Sequence, residues 1–276
     1  MPPIVRIDYH THHERCGHAE GRLEDYVKRA VEIGLEQIGL SDHMPLLHVD
    51  PAEYYPGMAM PMEELPRYVE EALWLKEKYR DRIDVRVGLE GDYIEGYEEE
   101  IERIVTGYPW DYVIGSVHFL GEWDISDSRQ LHGWEGKKVL EVYERYYDAV
   151  QKAAKTGFYD FLGHLDVIKR FGHRPEDEEA ERELERRTLE VIREHDVAIE
   201  LNASGLVMPC EDMFPKRRML ETAFALGIPV TVGSDAHRPE RVALNLDRAV
   251  ECLKAIGYRE LATFKERQRI MVPIGP

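Results

Sequence analysis

Short, nearly continuous apolar segments alternate with longer amphipathic segments along the chain. The short segments are rich in β-branched residues, a pattern typical of strands buried on both faces of a parallel sheet. The longer segments have apolar positions at helical spacing, and several are followed by glycine, which commonly ends a helix. The predicted strands span residues 4–8, 37–40, 85–89, 112–117, 158–162, 197–201 and 228–232. The predicted helices span residues 23–33, 62–79, 97–105, 137–156, 176–194, 215–226 and 238–256.

The repeated order of strand and helix predicts an α/β fold. For a chain of 276 residues, a β/α barrel accounts for both the order and the length, which indicates one domain over residues 1–276. An open, doubly wound sheet is the alternative. Two connections, 44–61 and 121–136, are too long for simple turns. Because each follows a strand, each would lie over the active face of a barrel.

The composition disfavours several classes of protein. Hydrophobic residues make up 43% of the chain, enough for a buried core, and no apolar run reaches the roughly 18 residues that a membrane helix needs. The net charge of −18 disfavours binding to nucleic acids. The N-terminus has no signal-peptide pattern, so we expect a cytoplasmic protein. Abundant Glu and Arg with few Asn and Gln is typical of a thermophilic source.

Metal-binding residue types recur where six of the seven predicted strands end. The carboxyl ends of barrel strands lie at one face, so we expect these side chains to converge there. A single histidine at a strand end is usually structural, whereas the same pattern at six strands indicates a multinuclear metal site. The nine candidate ligands are His10, His12, His18, His43, Glu90, His118, His164, Asp235 and His237.

The chemistry of these side chains suits divalent transition metals. Neutral imidazole and carboxylate are good ligands for Zn, Fe and Mn. His10 and His12 are two residues apart, so in an extended segment their rings face the same side and can hold one ion together. Asp235 and His237 can do the same if the chain stays extended there. The carboxylate of Glu90 can bridge two ions, which an imidazole cannot.

Residues next to the ligands are candidates for supporting them. Gly88 and Gly233 lack side chains, and we expect them to let the backbone approach the metals closely. Asp8, Asp42 and Asp166 lie within two residues of candidate ligands. Their carboxylates can accept hydrogen bonds from imidazoles and so orient the rings, although structural carboxylates at strand ends are an equal alternative.

The order of these motifs resembles the polymerase-and-histidinol-phosphatase (PHP) superfamily. The shared features are H-x-H at 10–12, the histidine after the second strand, G-x-E at 88–90, G-S-V-H at 115–118, G-H at 163–164 and G-S-D-A-H at 233–237. The segments C-G-H at 16–18, G-L-E-G-D-Y at 88–93, S-V-H-F-L at 116–120 and G-H-L-D at 163–166 resemble the monofunctional histidinol-phosphate phosphatases. The resemblance covers nearly the whole chain.

The resemblance implies a distorted (β/α)7 TIM-like barrel with a trinuclear centre of divalent ions, which are Zn, Fe or Mn. It assigns three sets of ligands: His10, His12, Glu90 and Asp235 to the first ion; Glu90, His118 and His164 to the second; and His18, His43 and His237 to the third. A metal-bound hydroxide, positioned by Glu90, His118 and Asp235, would then attack the phosphorus directly, without a phosphoenzyme.

Further residues are candidates for binding the substrate. Four cations near the ligands could hold its phosphate: Arg15, Lys169, Arg170 and Arg238. The long connections offer Tyr54, Tyr55, Trp123 and Asp124 for an imidazole and an amine, with no roles assigned. The remaining histidines match no ligand motif: His13, His48, His132, His173 and His195.

The function implied by the resemblance is hydrolysis of L-histidinol phosphate to L-histidinol and inorganic phosphate, a step of histidine biosynthesis. The first alternative is a PHP phosphoesterase that acts on another small phosphomonoester or on a nucleotide, since the metal site would be the same. The second is a metal-binding or storage protein without turnover. A cluster bridged by a carboxylate and open to solvent is poorly explained by storage. The sequence does not indicate an oligomeric state.

Overall fold

The structure, a computed structural model, describes residues 7–49 and 57–275. Its strands are β1 (Ile7–Asp8), β2 (Gln37–Leu40), β3 (Asp84–Asp92), β4 (Tyr112–Ser116), β5 (Phe119–Leu120), β6 (Trp123–Asp124), β7 (Phe161–Leu162), β8 (Ala198–Asn202), β9 (Val230–Gly233), β10 (Glu260–Lys265) and β11 (Gln268–Pro273). Seven of them form one parallel sheet in the order β1-β2-β3-β4-β7-β8-β9.

The sheet curves into a nearly closed barrel. Its two outer strands, β1 and β9, meet where the amide of Tyr9 donates a hydrogen bond to the carbonyl oxygen of Val232, at 3.1 Å. A parallel bridge between Thr11 and Ala236 continues this contact beyond the strand ends. The predicted α/β barrel is therefore confirmed, and the open sheet is not the fold.

Seven α-helices follow the barrel strands: α1 (Leu23–Glu32), α2 (Leu65–Tyr79), α3 (Glu98–Gly107), α4 (Val139–Lys155), α5 (Glu178–Glu194), α6 (Arg217–Ala225) and α7 (Leu246–Ile256). Each has buried residues on one face and exposed residues on the other. No helix within the described ranges is long and apolar enough to cross a membrane.

The last helix begins later than its periodicity predicts. The predicted helix spans residues 238–256, whereas α7 starts at Leu246. Residues Pro239–Arg241 form a separate 3-10 turn. Ala243 and Asn245 have φ angles of 60° and 62°, in the left-handed region that interrupts a right-handed helix.

The strand boundaries show where an apolar pattern is an incomplete guide. Segment 37–40 is a strand as predicted, whereas only Phe161–Leu162 of segment 158–162 is paired. Strand β3 continues past the predicted end to Asp92, because Gly91 and Asp92 still pair with β4. Residues 4–6 of the first predicted strand lie outside the described ranges.

Four strands were not predicted, and they form two hairpins. Strands β5 and β6 pair in an antiparallel hairpin that overlaps the 121–136 connection, which continues as a 3-10 segment at Ser128–Trp134. Strands β10 and β11 form the second hairpin. Phe264 of this hairpin packs its ring 5.3 Å from that of Phe161 and 6.0 Å from that of Tyr9. Strand β10 of the C-terminal hairpin therefore contributes to the hydrophobic core.

Two glycines make room for an aromatic ring inside the barrel. A Cβ atom on Gly39 would lie 2.0 Å from the hydroxyl oxygen of Tyr112, and one on Gly88 would lie 2.3 Å from its Cζ. Tyr112 uses this space to donate a hydrogen bond to the carbonyl oxygen of Tyr9, at 2.8 Å. The sequence suggested that Gly88 lets the backbone approach the metals. The structure shows that it makes room for the ring of Tyr112 instead.

The packing of Phe264 makes a testable prediction. Phe264→Ala removes a fully buried ring and leaves a cavity, so the free energy of unfolding should fall by about 3–5 kcal/mol. Urea unfolding followed by circular dichroism measures this change. Ile270→Ala in the same hairpin is the control, because Ile270 is 44% exposed and its loss should have little effect. Equal effects of the two substitutions would contradict the assigned role.

Candidate metal centre

A buried carboxylate lies at the centre of the candidate site. One oxygen of Glu90, Oε1, is 2.9 Å from His164 Nε2, and the other, Oε2, is 2.8 Å from His43 Nδ1. The same carboxylate is 3.4 Å from His10 Nε2 and 3.5 Å from His12 Nε2. These histidines follow three different strands, so the barrel brings its carboxyl ends together at this side chain.

Overlapping groups of donors surround Glu90. Within each group the donor atoms lie within 4.8 Å of one another, close enough to share an ion. Because several residues belong to two groups, the groups form one continuous cluster. The groups are His12, His43 and His237; His10, His164 and Asp235; His10, His12 and Glu90; and His43, Glu90 and His118.

His18 lies at the outer side of this cluster. Its Nε2 atom is 3.0 Å from the Nε2 atom of His237, and its ring centroid is 5.1 Å from that of His43. His18 is exposed, whereas His12, whose ring stacks on His237 at 4.2 Å, is buried. All nine candidate ligands therefore lie in one cluster, with His18 at its entrance.

Asp235 and His237 do not act as an extended pair. Asp235 has a φ angle of 55°, in the left-handed region, so the chain turns immediately after β9. Asp235 Oδ1 lies 3.1 Å from His12 Nε2 and 3.8 Å from His10 Nε2, whereas the ring of His237 stacks on that of His12. The condition under which these two residues could hold one ion together, an extended chain, is therefore not met.

The donor atoms fit divalent metal ions. His10 Nε2 and His12 Nε2 are buried and form no hydrogen bond within the described ranges. Buried polar atoms without a partner cost free energy and call for an explanation. Imidazole nitrogen together with carboxylate oxygen is the donor set that zinc and similar ions prefer. The cluster is therefore suited to binding divalent metal.

Carboxylates hold protons on the inner histidines. Burial opposes charge on His12, but the nearby carboxylates of Asp235 and Asp42 outweigh it and raise the pKa of His12 to about 9. Burial likewise opposes charge on His118, where the charges of Asp92 and Glu90 raise the pKa to about 10. These imidazoles are charged at neutral pH when no metal is bound.

The outer histidines behave in the opposite way. Desolvation, followed by repulsion from His43 and His12, lowers the pKa of His18 to about 4. Desolvation and the charge of His12 also hold the pKa of His237 well below its usual value. These two rings are neutral at pH 7 and present free nitrogen lone pairs.

Glu200 supports the site and was not predicted. It is fully buried on β8, the only barrel strand without a candidate ligand at its end. Its Oε1 atom is 2.8 Å from His10 Nδ1, and its Oε2 atom accepts a hydrogen bond from the amide of His164 at 2.9 Å. A Cβ atom on Gly233 would lie 2.0 Å from Glu200 Oε1, so this glycine makes room for the carboxylate.

Other supporting contacts also escaped the sequence analysis. Asp92 Oδ1 is 3.0 Å from His118 Nδ1 and also accepts a hydrogen bond from the His118 amide, at 3.1 Å. The hydroxyl of Ser116 donates to Glu90 Oε1 at 2.7 Å. The signal for Asp92 was its position two residues after Glu90, where a strand directs both side chains to one side.

The three aspartates proposed as supports have different surroundings. Asp42 Oδ1 lies 3.4 Å from His12 Nδ1, in a position to orient that ring. Asp8 contacts no ligand ring; it accepts hydrogen bonds from the amide of Ser234 at 2.9 Å and from its hydroxyl. Asp8 therefore fixes the backbone on which Asp235 is placed.

Asp166 and Lys169 belong to a buried ion-pair network, which corrects two expectations. Lys169 is fully buried, and its ammonium group lies 2.8 Å from Asp166 Oδ2 and 3.0 Å from Asp212 Oδ2. Asp166 also accepts a hydrogen bond from the amide of Lys216. Asp166 therefore orients no imidazole, and Lys169 cannot reach a phosphate, because these charges pair with each other.

Arg15 is also directed away from the pocket. Its guanidinium donates to Glu71 Oε2 at 2.6 Å and to Glu64 Oε2 at 3.3 Å, both at or near α2. Arg15 is absent from the residues that line the pocket within the described ranges. The expectation that Arg15 binds phosphate is therefore wrong, because two carboxylates already hold the guanidinium.

The donor cluster lies at the base of an open cavity of about 430 Å³. Arg170 and Arg238 line it, although Arg238 is paired with Glu20 at 2.5 Å. Asp124 of the second long connection also lines it, whereas Trp123 does not. Part of each long connection therefore borders the cavity. Tyr54 and Tyr55 lie outside the described residues.

Comparison with known proteins identifies the family. The family model described as the PHP domain matches residues 8–204. The chain belongs to the PHP domain family. The match includes seven of the nine candidate ligands, and the remaining two, Asp235 and His237, lie beyond it. The resemblance drawn from the order of the motifs is therefore confirmed.

Proteins similar in sequence or structure align with this chain over most of their length. A protein of Deinococcus radiodurans named "Probable histidinol-phosphatase" is 34% identical and aligns over 95% of this chain and 97% of its own. The histidinol-phosphatase of Bacillus subtilis is 32% identical, over 85% and 94%. The crystal structure of histidinol phosphate phosphatase from Lactococcus lactis, complexed with Zn, L-histidinol and phosphate, has a TM-score of 0.82 and 27% identity, covering 96% of this chain and 98% of its own.

The raised pKa values of the inner histidines predict proton release when metal binds. His12 and His118 must lose their protons to bind an ion, so affinity for Zn²⁺ should rise as the pH is raised from 6 towards 9. Calorimetric titration of the metal-free protein at pH 7, in buffers of different ionisation enthalpy, counts the protons released. Release of no protons would contradict the assigned charge states.

The position of Glu200 predicts a loss of metal affinity on substitution. Glu200→Gln removes the negative charge beside His10 and places an amide donor against the cluster of N–H groups. Affinity for Zn²⁺, measured by competition with a chelator, should fall about 10–100-fold. Glu185→Gln is the matched control, because Glu185 is also buried and ion-paired but contacts Lys216 and Arg218 instead. Unchanged affinity in Glu200→Gln would refute the supporting role.

Proposed function

We propose that this PHP protein is a metal-dependent phosphatase that hydrolyses L-histidinol phosphate to L-histidinol and inorganic phosphate. The observation that carries the proposal is the cluster of nine metal-binding side chains at the base of an open cavity. The choice of substrate is based on the relatives, since proteins named histidinol-phosphatase align over nearly the whole chain. The Lactococcus lactis structure with Zn, L-histidinol and phosphate supports the same choice.

We propose three divalent ions for the site, with zinc as the first candidate. Nine donors in overlapping groups are more than a single ion can use, because zinc takes about four ligands. Zinc in the Lactococcus lactis protein supports this choice of metal. Bound ions would neutralise the charge of the phosphate and lower the pKa of a water molecule towards neutrality, which is the chemistry that hydrolysis needs.

The residues of the chain have separate tasks in this proposal. Glu90 joins the donor groups, because its two oxygens face different histidines. Glu200 and Asp92 hold His10 and His118 by their Nδ1 atoms, which leaves the Nε2 atoms free to bind ions. This arrangement fixes the donors before substrate arrives, so less reorganisation accompanies the reaction.

Substrate contacts come from the cavity wall. Arg170 lines the cavity, and its Nε atom is buried with no hydrogen-bond partner within the described ranges. A guanidinium in this position can bind phosphate oxygens. Asp124 and Asp127 also line the cavity, and their charge complements the amine and imidazole of histidinol. We further propose that residues 1–276 act as one domain, because Phe264 of the C-terminal hairpin packs against the barrel residues Phe161 and Tyr9.

The substrate preference gives the decisive test. The zinc-loaded protein should release phosphate from L-histidinol phosphate with a kcat/KM at least 100-fold above that for p-nitrophenyl phosphate or a nucleoside bisphosphate. A coupled phosphate assay measures this. Glu90→Gln is the control for contaminating phosphatases, since it removes the central charge. A preference for nucleotides would contradict the proposal and favour a PHP phosphoesterase with another substrate. If no ester were hydrolysed, the alternative of a metal-binding protein without turnover would be favoured.

Arg170 and Lys169 should respond differently to substitution. Arg170→Met removes a cation from the cavity wall, so the KM for substrate should rise about tenfold with little change in stability. Lys169→Met leaves Asp166 buried without its partner, so the free energy of unfolding should fall by about 3–5 kcal/mol. Steady-state kinetics and urea unfolding of both variants measure these effects. A raised KM with unchanged stability in Lys169→Met would reverse the assignment.

A further inference from the structure

His13 is a buried histidine next to a candidate ligand, and nothing above gives it a task. It is fully buried, and its ring centroid lies 5.2 Å from that of Tyr68 on α2. Its Nδ1 atom is paired with Asp42 Oδ2, and its Nε2 atom is 3.2 Å from Arg15 Nη1. His13 therefore connects a carboxylate of the site to an arginine at the edge of the barrel.

The chemistry of Arg15 fixes the direction of the hydrogen bonds. A guanidinium donates hydrogen bonds and never accepts them. His13 Nε2 must therefore be the acceptor from Arg15, which places the proton of the neutral ring on Nδ1. That Nδ1–H lies against Asp42 Oδ2, with which it is paired, so the Asp42 carboxylate is held by a ring that Arg15 orients.

Asp42 passes this constraint to the candidate ligand His12. Its other oxygen, Oδ1, is 3.4 Å from His12 Nδ1 and accepts a hydrogen bond from the amide of His43 at 2.9 Å. The negative charge of Asp42 beside Nδ1 favours the proton on that atom, and the neutral His12 ring then has its lone pair on Nε2. That atom faces Asp235 Oδ1 at 3.1 Å, inside the donor cluster.

The outer end of this chain of contacts is anchored to α2. Arg15 is held by Glu71 of α2 and by Glu64, directly before it. The side chain of Arg15 is only 20% exposed, so its ion pairs are partly shielded from water. Two carboxylates therefore keep the guanidinium in place beside His13 Nε2.

We propose that Arg15, His13 and Asp42 form a positioning chain that fixes the tautomer of His12 and leaves its Nε2 atom free for metal. Metal binding is the part of the proposed function on which this inference rests. The three residues act through His12 and do not touch the substrate. Arg15, expected from the sequence to bind phosphate, acts here as an obligatory hydrogen-bond donor instead.

Substitutions at His13 test the chain directly. His13→Leu removes the contacts with both Asp42 and Arg15, and affinity for Zn²⁺, measured by chelator competition, should fall about 10–100-fold. His13→Asn retains an amide donor near the Nδ1 position and should recover most of that affinity. A purely structural role would lower the melting temperature of both variants and leave zinc affinity unchanged, which would overturn the proposal. Equal losses of affinity in the two variants would also overturn it.

Arg15 supplies a second test that does not disturb the core. Arg15→Gln replaces an obligatory donor with a group that can also accept, so zinc affinity should fall by less than in His13→Leu but measurably. Lys78→Met is the matched control, because it breaks a different ion pair of α2, with Glu24 at 2.7 Å, that does not reach the site. Equal zinc affinity in Arg15→Gln and Lys78→Met would refute the role of Arg15.

These measurements keep the inference separate from the proposed function. Chelator competition reports zinc affinity without any substrate, so it gives an answer even if the protein fails to hydrolyse L-histidinol phosphate. In that case the proposed reaction would be wrong, but the measured zinc affinities would still test the positioning chain. Conversely, normal zinc affinity in His13→Leu, together with phosphatase activity in the parent protein, would overturn only the proposed positioning chain and not the proposed function.

Discussion

The site depends on the cost of burying charge. Glu90 and the imidazoles around it are almost completely excluded from water, where an unpaired charge is strongly unfavourable. The fold meets this constraint by placing carboxylates behind the candidate ligands, such as Glu200 behind His10 and Asp92 behind His118. The same carboxylates hold each ring by one nitrogen and leave the other for metal. Electrostatic compensation and ligand geometry are therefore achieved by the same contacts.

The barrel makes this arrangement possible. Its parallel strands end at one face, so residues as far apart in sequence as His10 and Asp235 meet there. The opposite end is filled by aromatic rings, including Tyr112 and Phe264. Strand β8 shows how completely the barrel is used, because it ends without a candidate ligand and yet supplies Glu200. Each barrel strand therefore contributes to the site, either through a candidate ligand or through a support.

The sequence predicted the barrel and the candidate ligands because both leave local signals. Buried parallel strands are apolar, and the ligand types stand out directly after them. The supporting residues leave no such signal: Glu200 is a single charge within an apolar strand, and its partner His10 lies 190 residues away. Lys169 was misjudged for the same reason, because its pairing with Asp212 arises only when distant segments meet. The sequence was therefore enough to predict which residues are candidate ligands. The contacts between residues distant in sequence became known only from the folded structure.

The two halves of the cluster differ in charge, and this difference bears on how the site works. Around Glu90 the carboxylates keep histidines such as His118 protonated until metal displaces the protons. At the entrance, desolvation and repulsion from neighbouring imidazoles lower the pKa values of His18 and His237, so both rings are already neutral at pH 7. An ion held by these two rings would therefore displace fewer protons than an ion held by His12 and His118, and its binding should depend less on pH.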